Sequence, residues 1–512
     1  MLLEFIILLV IALVLFYKWS VSTYKYWEKR GIPCDKPSYP LFGSLANAVL
    51  RKQSMFELVE DLYNMHDGKV FGVFDQRKPL LLIRDPDLLK QITIKDFDHF
   101  VNHRTIFSED DAELFGSSLF MMQDGKWKDM RSTLSPAFTG SKMRHMFELM
   151  NQVAQDAVVH LKKDPSVSSK EGLELDLKDY CTRFSNDIIA STAFGLQVNS
   201  FEDKENQFYC IGKKLTTFTA WQNIKFFMFA NFKYIMRLFK LQIFDKKVTD
   251  YFMRLVLEAM KYRKQHNISR PDMINMLMEA QGMAKSDNPK PHNRDWTDTD
   301  IVAQCFLFFF AGFETTAVLM CFTAHELMEN PEIQEKLYQE VDEVSKQLDG
   351  KPLTYEALQG MKYLDMVISE VLRKWPAAVA VDRVCNKDFT YETDDFHLEI
   401  KKDECIWIPL SGFHRDPKYF PNPLKFDPER FSEENKDKIN PMTYLPFGLG
   451  PRNCIGSRFA LLEAKAIIFY LIREFRLEAG KKTAMPLKLS ANGFNLTPEK
   501  GFWFKLSSRT KV

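Results

Sequence analysis

PFGLGPRNCIG, residues 446–456, sets one cysteine, Cys454, among three glycines and an arginine, with a long amphipathic stretch behind it. A plain core thiol needs no glycines at 448, 450 and 456. A phosphate cradle would end in Lys followed by Ser or Thr and would follow a buried strand, and this loop does neither. A nucleophilic thiol wants a positioned base, and no histidine is near in the sequence. For an axial ligand of haem iron, every neighbour acquires a role. Gly448 and Gly456 let backbone lie against a flat macrocycle, Phe447 shields the sulfur, and Arg452 can pair with a propionate. The helix expected beyond Gly456 brings its positive N-terminus toward the sulfur, favouring thiolate. A cysteine thiolate pushes electron density onto iron and favours O–O cleavage.

The chain around this loop has 512 residues, enough for one large or two ordinary domains. Lys plus Arg number 69 against 68 for Asp plus Glu, so there is no charge footprint for nucleic acid. The cysteines at 34, 181, 210, 305, 321, 385, 405 and 454 include no CxxC and no zinc-type spacing. So few cysteines over so long a chain argue against a disulfide scaffold, and a reducing compartment is expected for the soluble part.

Leu2 to Tyr17 is almost wholly apolar, and Lys18, Lys25, Lys29 and Arg30 follow with Trp19, Tyr24, Tyr26 and Trp27. As a helix this run spans about 24 Å, slightly short of a ~30 Å hydrocarbon core, so Lys18 is expected to snorkel. A cleaved signal peptide is the competing reading. Glu4 in place of basic residues before the run, and no small-residue cleavage site after it, favour an uncleaved anchor over residues 1–20. The basic residues lie on its C-terminal side, which is therefore expected to be cytosolic. The sequons Asn267-Ile-Ser269 and Asn495-Leu-Thr497 would then stay unglycosylated. Residues 21–45, basic and aromatic and then rich in proline at 33, 37 and 40, read as a stiff strap, and 46–512 as one large domain.

That domain reads as mainly α with small β-sheets. Two short strands are expected in 69–85, helices over 331–347, 355–374 and 456–475, and a loop over 283–299. The longest helix is expected from near Thr297, with Thr297 or Thr299 as N-cap, to Asn330 before Pro331, apolar on nearly all sides from 305 to 323. Glu314, Thr315 and Thr316 in its middle would be costly in lipid, so it reads as the buried central helix. Gly312 leaves room for something flat to approach the backbone, and Thr315 can bond back to the carbonyl four residues earlier. Taken alone, this helix reads more simply as a bent core helix with Glu314 satisfied by a neighbouring arginine.

Taken together, these segments resemble one family. PFGLGPRNCIG matches the FxxGxRxCxG haem signature of the cytochrome P450 superfamily, and AGFETT at 311–316 resembles its oxygen-activation motif. Glu370 and Arg373 in SEVLRKWP match the ExxR pair, and FDPERF resembles the segment that adds Arg430 to it. WKDMR, with Trp127 and Arg131, resembles the helix that touches a haem propionate. VDRVC, with Arg383, resembles another propionate contact, and Arg104 in FVNHR a further one. ETT with DRVC is similar to the branch containing insect detoxification and vertebrate drug-metabolising enzymes.

The resemblance implies a single-domain cytochrome P450 fold with an N-terminal anchor, and haem b held by Cys454. Phe447, Gly448, Gly456 and Ala311 would contact the haem, and Glu370, Arg373 and Arg430 would form a buried structural network. Thr315 and Glu314 would order water and deliver protons to bound dioxygen. The chain has no GxGxxG fingerprint and no stretch long enough for a flavin domain. Electrons would therefore come from a separate NADPH–cytochrome P450 reductase, with cytochrome b5 as a second donor, at the endoplasmic reticulum membrane, cytosolic side. Lys126 and Lys128 are candidates for that docking face, with a plain solvated helix face the equal alternative. Substrate would be set by the 100–120 loop, 205–245, 376–382 and 491–497, whose Phe-rich makeup says only lipophilic. The segment 226–239 is expected to roof the site and touch the membrane. Foreign compounds such as plant toxins or insecticides are the first substrate class. An endogenous steroid, fatty acid or hormone is the second, and a non-oxygenating haem-thiolate isomerase or sensor is the reading from another class, which Glu314-Thr315 disfavours.

Overall fold

The central helix forms from Asp298 to Glu329. Thr297 and Asp300 start it with a reciprocal capping box, the Asp300 amide donating to Thr297 Oγ1 at 3.1 Å and the Thr297 amide to the Asp300 carboxylate at 3.0 Å. Pro331 cannot donate into the ladder and opens the next helix, Pro331–Leu348. The computed structural model describes residues 1–105, 112–217, 219–270, 272–281, 296–492 and 496–509. Most of the polar loop expected over 283–299, the sequon at Asn495 and parts of three substrate-shaping segments (106–111, 218, 493–495) lie outside the described residues.

Two helices are long and apolar enough to cross a membrane, and burial separates them. In the N-terminal helix, Leu2–Val21, none of the apolar window is buried, against 67% in the central helix. The first is left with bare apolar side chains that suit lipid; the second is covered by protein. The last turn of the N-terminal helix is docked on the domain. The Arg77 guanidinium lies 3.9 Å over the Trp19 ring, and Trp19 meets Phe232 at 6.4 Å.

The central helix packs against Leu177–Ile189 and Ser457–Glu474, and Gly140–Lys162 packs against both of these. Their facing residues form one continuous apolar core. Strands β1 (Val70–Asp75) and β2 (Lys78–Ile83) form a hairpin. It extends to β7 (Cys405–Ile408), parallel to β2, and then to β4 (Val381–Val384), in the order β1-β2-β7-β4. The strap lies along this sheet, Cys34 bridging to Gly72 and Gly43 to Asp75. Strands β3 (Leu173–Asp176), β8 (Phe475–Glu478) and β9 (Trp503–Ser508) form a second sheet, and β5 (Phe389–Thr393) with β6 (Phe396–Ile400) a separate hairpin.

The fold is thus mainly helical with small sheets. The helix expected over 355–374 is two helices, Tyr355–Gly360 and Lys362–Lys374, parted at Met361, whose φ of −76° and ψ of 92° are extended. In the second, Glu370 and Arg373 are fully buried, with Arg373 donating to Glu370 at 2.7 and 2.8 Å. Arg430 Nε lies 3.3 Å from Glu370 Oε1. This network ties the helix to the 422–430 segment ahead of the cysteine loop.

Candidate active site

The cysteine loop is shaped by its glycines. Gly448 (φ 75°) and Gly450 (φ 68°) sit in the left-handed region, and a Cβ on Gly450 would collide with the Thr93 carbonyl. The chain then folds back so that the Cys454 amide donates to the Phe447 carbonyl at 2.8 Å. A Cβ on Gly456 would meet nothing within 4 Å, because that side faces a cavity. The cavity, ≈ 410 Å³, is walled on one side by Phe447, Gly448, Cys454, Ile455 and Gly456 and on another by Ala311, Gly312, Thr315 and Thr316 of the central helix. Trp127, Arg131, Arg383 and Arg452 also line it.

Three guanidiniums therefore converge on one apolar space. Arg452 donates to the carbonyls of Val101 (2.8 Å), Leu119 (3.2 Å) and Met122 (2.6 Å) and lies 4.2 Å over the Trp127 ring. Burial, with Arg383 and Arg131 nearby, lowers its pKa to about 9. Arg383 donates to the Asp382 carbonyl at 2.6 Å, and its buried Nε has no partner among the described residues. Burial lowers its pKa to about 10. Arg131 donates to the carbonyl and side-chain oxygens of Asn453 at 2.9 and 2.8 Å. Among the described residues, none of the three has a carboxylate within ion-pair distance. Buried cations without an anion are costly, so the cavity suits a flat apolar guest that carries its own carboxylates. A haem, with two propionates, fits that description.

Burial pushes the Cys454 thiol up, while the Gly456 amide and Arg131 pull it down, and the upward effect wins. A bound metal cation deprotonates a coordinating thiol outright.

Thr315 lines the cavity, its hydroxyl donating to the Ala311 carbonyl at 2.6 Å, the back-bond its position allows. Glu314 does not line it. One residue is 100° of helix turn, so Glu314 faces Leu177–Ile189 and accepts from Lys178 at 2.6 Å, a lysine where an arginine was expected. Gly312 serves this same helix contact, since a Cβ there would lie 3.1 Å from Ile189 Cδ1.

Arg104, expected beside a propionate, is engaged elsewhere, with Asp75 at 2.7 Å and Asp382 at 2.9 Å. The residue brought to the cavity is its neighbour His103, absent from the sequence-based set. Asn102 bridges Val384, so His103 stands opposite Arg383 and Arg104 opposite Asp382, on alternate faces. His103 Nδ1 is 2.9 Å from Asp382 Oδ1, and burial lowers its pKa to about 4. The 205–245 region lines no part of this cavity among its described residues. Its first helix, Gln207–Thr216, instead packs Phe208 against Phe309 on the far face of the central helix, ring centroids 4.9 Å apart.

A mainly helical domain closed around such a cavity is the architecture of a haem-thiolate oxygenase. Residues 33–504 match the family model described as cytochrome P450, and the chain belongs to that family. It is 62% identical over 518 residues to probable cytochrome P450 9f2 of Drosophila melanogaster, covering 99% of this chain and 100% of the relative. Against cytochrome P450 9e2 of Blattella germanica it is 43% identical over 507 residues, 95% and 94% of the two chains. Against cytochrome P450 3A12 of Canis lupus familiaris it is 35% identical over 509 residues, 98% and 96%. It is a monooxygenase whose cofactor is haem with a cysteine axial ligand.

Proposed function

We propose that this chain inserts one oxygen atom of O2 into lipophilic foreign compounds, such as plant toxins or insecticides, with electrons passed from NADPH by a separate reductase. Cytochrome b5 is a second donor in this reading. What supports it is the convergence of Cys454, Thr315 and three guanidiniums, none with a carboxylate within ion-pair distance among the described residues, on one apolar cavity from four separate segments of the chain.

Cys454 would hold the haem iron, Arg131, Arg383 and Arg452 would neutralise the propionates, and Trp127 stacks beneath Arg452 to fix it. Bound haem supplies the reduction and scission of dioxygen. The apolar walls keep water out and hold the substrate near Ala311 and Thr315. Thr315 Oγ1, once it releases the Ala311 carbonyl, donates a hydrogen bond into the cavity and orders water through which protons arrive from solvent, and Glu314, held by Lys178, is the reserve carboxylate one residue away. Glu370, Arg373 and Arg430 keep the segment ahead of the cysteine loop in register.

The bare apolar helix Leu2–Val21, followed by Lys25, Lys29 and Arg30, supports an anchor in the endoplasmic reticulum membrane with the domain on the cytosolic face. The deciding experiment is turnover with reductase and NADPH across a panel of plant toxins, insecticides, steroids and fatty acids. Oxidation of several unrelated foreign compounds is expected. Turnover confined to one endogenous lipid would reject the foreign-compound reading.

A further inference from the structure

Of the chain's 23 methionines, Met146 and Met273 alone line the cavity among the described residues. They reach it from different elements. Met146 comes from the helix Gly140–Lys162, and Met273 opens the helix Met273–Ala280, whose capping residue Asp272 is held by Arg263 at 2.6 Å. Both helices pack on the turn Ala190–Phe194, and Thr192 and Ala193 of that turn line the same cavity. The wall continues along the central helix, where Phe308, Ala311, Gly312 and Thr315 follow the i, i+3, i+4, i+7 spacing of a single face. The two thioethers therefore share one apolar space with Thr315 and Cys454. Met150 and Met278, on the same two helices, are buried outside it.

That position exposes them to one oxidant in particular. A haem-thiolate monooxygenase forms hydrogen peroxide whenever O2 takes up two electrons and two protons without an oxygen atom reaching substrate. Among the side chains around the cavity, hydrocarbon and hydroxyl groups are inert to peroxide, indole and imidazole react far more slowly than a thioether, and the Cys454 sulfur is committed to iron. A methionine sulfur takes one peroxide oxygen. The O–O bond breaks, an S–O bond forms and water leaves, so sulfur loses the two electrons that peroxide gains. The product is a polar sulfoxide in an apolar wall. Peroxide dissolved in bulk water would favour other sites, because Met146 and Met273 are 5% and 4% exposed against 56% and 57% for Met65 and Met485.

We propose that Met146 and Met273 form a paired sulfoxidation site, which takes up peroxide made inside the cavity before it escapes to solvent. This rests on the haem-thiolate reading above.

The test uses the full-length, haem-loaded enzyme with reductase and NADPH in air, without substrate, and with catalase to clear peroxide from bulk water. Sulfoxide is mapped residue by residue by peptide mass spectrometry. Met146 and Met273 are each expected to carry severalfold more sulfoxide than Met65 and Met485, and severalfold more than their buried neighbours Met150 and Met278. Enzyme given hydrogen peroxide from outside, with neither NADPH nor catalase, is expected to oxidise Met65 and Met485 first. Exposed methionines leading in the NADPH sample, sulfoxide at only one of the pair, or sulfoxide at neither overturns the proposal. So does an NADPH sample whose pattern matches that of external peroxide. Failure of the underlying reading looks different: wild-type protein would then lack the red-shifted band of the reduced CO complex.

Discussion

Glu370→Ala would leave Arg373 as a lone cation where water does not reach. Both side chains are 0% exposed. Glu370 accepts from Arg373 Nε at 2.7 Å and Nη2 at 2.8 Å, and from the Asp427 amide at 3.0 Å. Arg373 is held in place by its other bonds, to the buried carbonyl of His414 (2.9 Å) and the half-buried carbonyl of Pro423 (2.8 Å). Removing one partner of a buried pair costs about 3–5 kcal/mol. Total stabilities are ~5–15 kcal/mol, so the variant should lose most of its folded, haem-loaded population. An exposed pair at the same i,i+3 spacing would be worth only a few tenths of a kcal/mol. The assay is haem incorporation, read as the CO-difference band per mole of purified protein, with calorimetric melting of whatever folds. Arg430→Ala is expected to be milder, since Arg430 is partly exposed and 3.3 Å from Glu370. A Glu370→Ala protein that loads haem and melts with the wild type would refute the reasoning.

Thr315→Ala is expected to load haem normally but divert electrons from NADPH to peroxide, measured as peroxide formed per NADPH consumed; fully coupled turnover would remove Thr315 from proton delivery. Deleting residues 1–20 should weaken sedimentation with microsomal vesicles while leaving the CO-difference band intact. Glu463 is fully buried beside Ser185 with no cation paired to it among the described residues, and burial raises its pKa from 4.5 to about 8. The folded state therefore binds the extra proton between those values, so its stabilising share is complete below pH ~4.5 and lost as pH rises through about 8. Melts of the holoenzyme from pH 6 to 8.5 should show the wild type losing up to about 1.4 kcal/mol per pH unit relative to Glu463→Gln, and parallel curves would contradict the assignment.

The parts most legible in the sequence were those set by local chemistry. The Thr297 cap and Pro331 bound the central helix, the glycines at 448 and 450 demand left-handed backbone, and the i,i+4 step from Ala311 to Thr315 puts both on one wall. The direction of Glu314 was readable from the same helical period, which turns it away from Thr315 toward another helix. The choice between His103 and Arg104 was not readable, because it depends on the bridge from Asn102 to Val384, a pairing across 282 residues of chain that no local pattern encodes.

The most direct test of the whole account is the spectrum of Cys454→Ser protein, reduced and exposed to CO. If Cys454 is the thiolate that holds the iron, the red-shifted Soret band of the wild type disappears while the fold, followed by far-ultraviolet circular dichroism, persists. A variant with the wild-type band would mean that another residue ligates the iron, and the reading of PFGLGPRNCIG would fall with it.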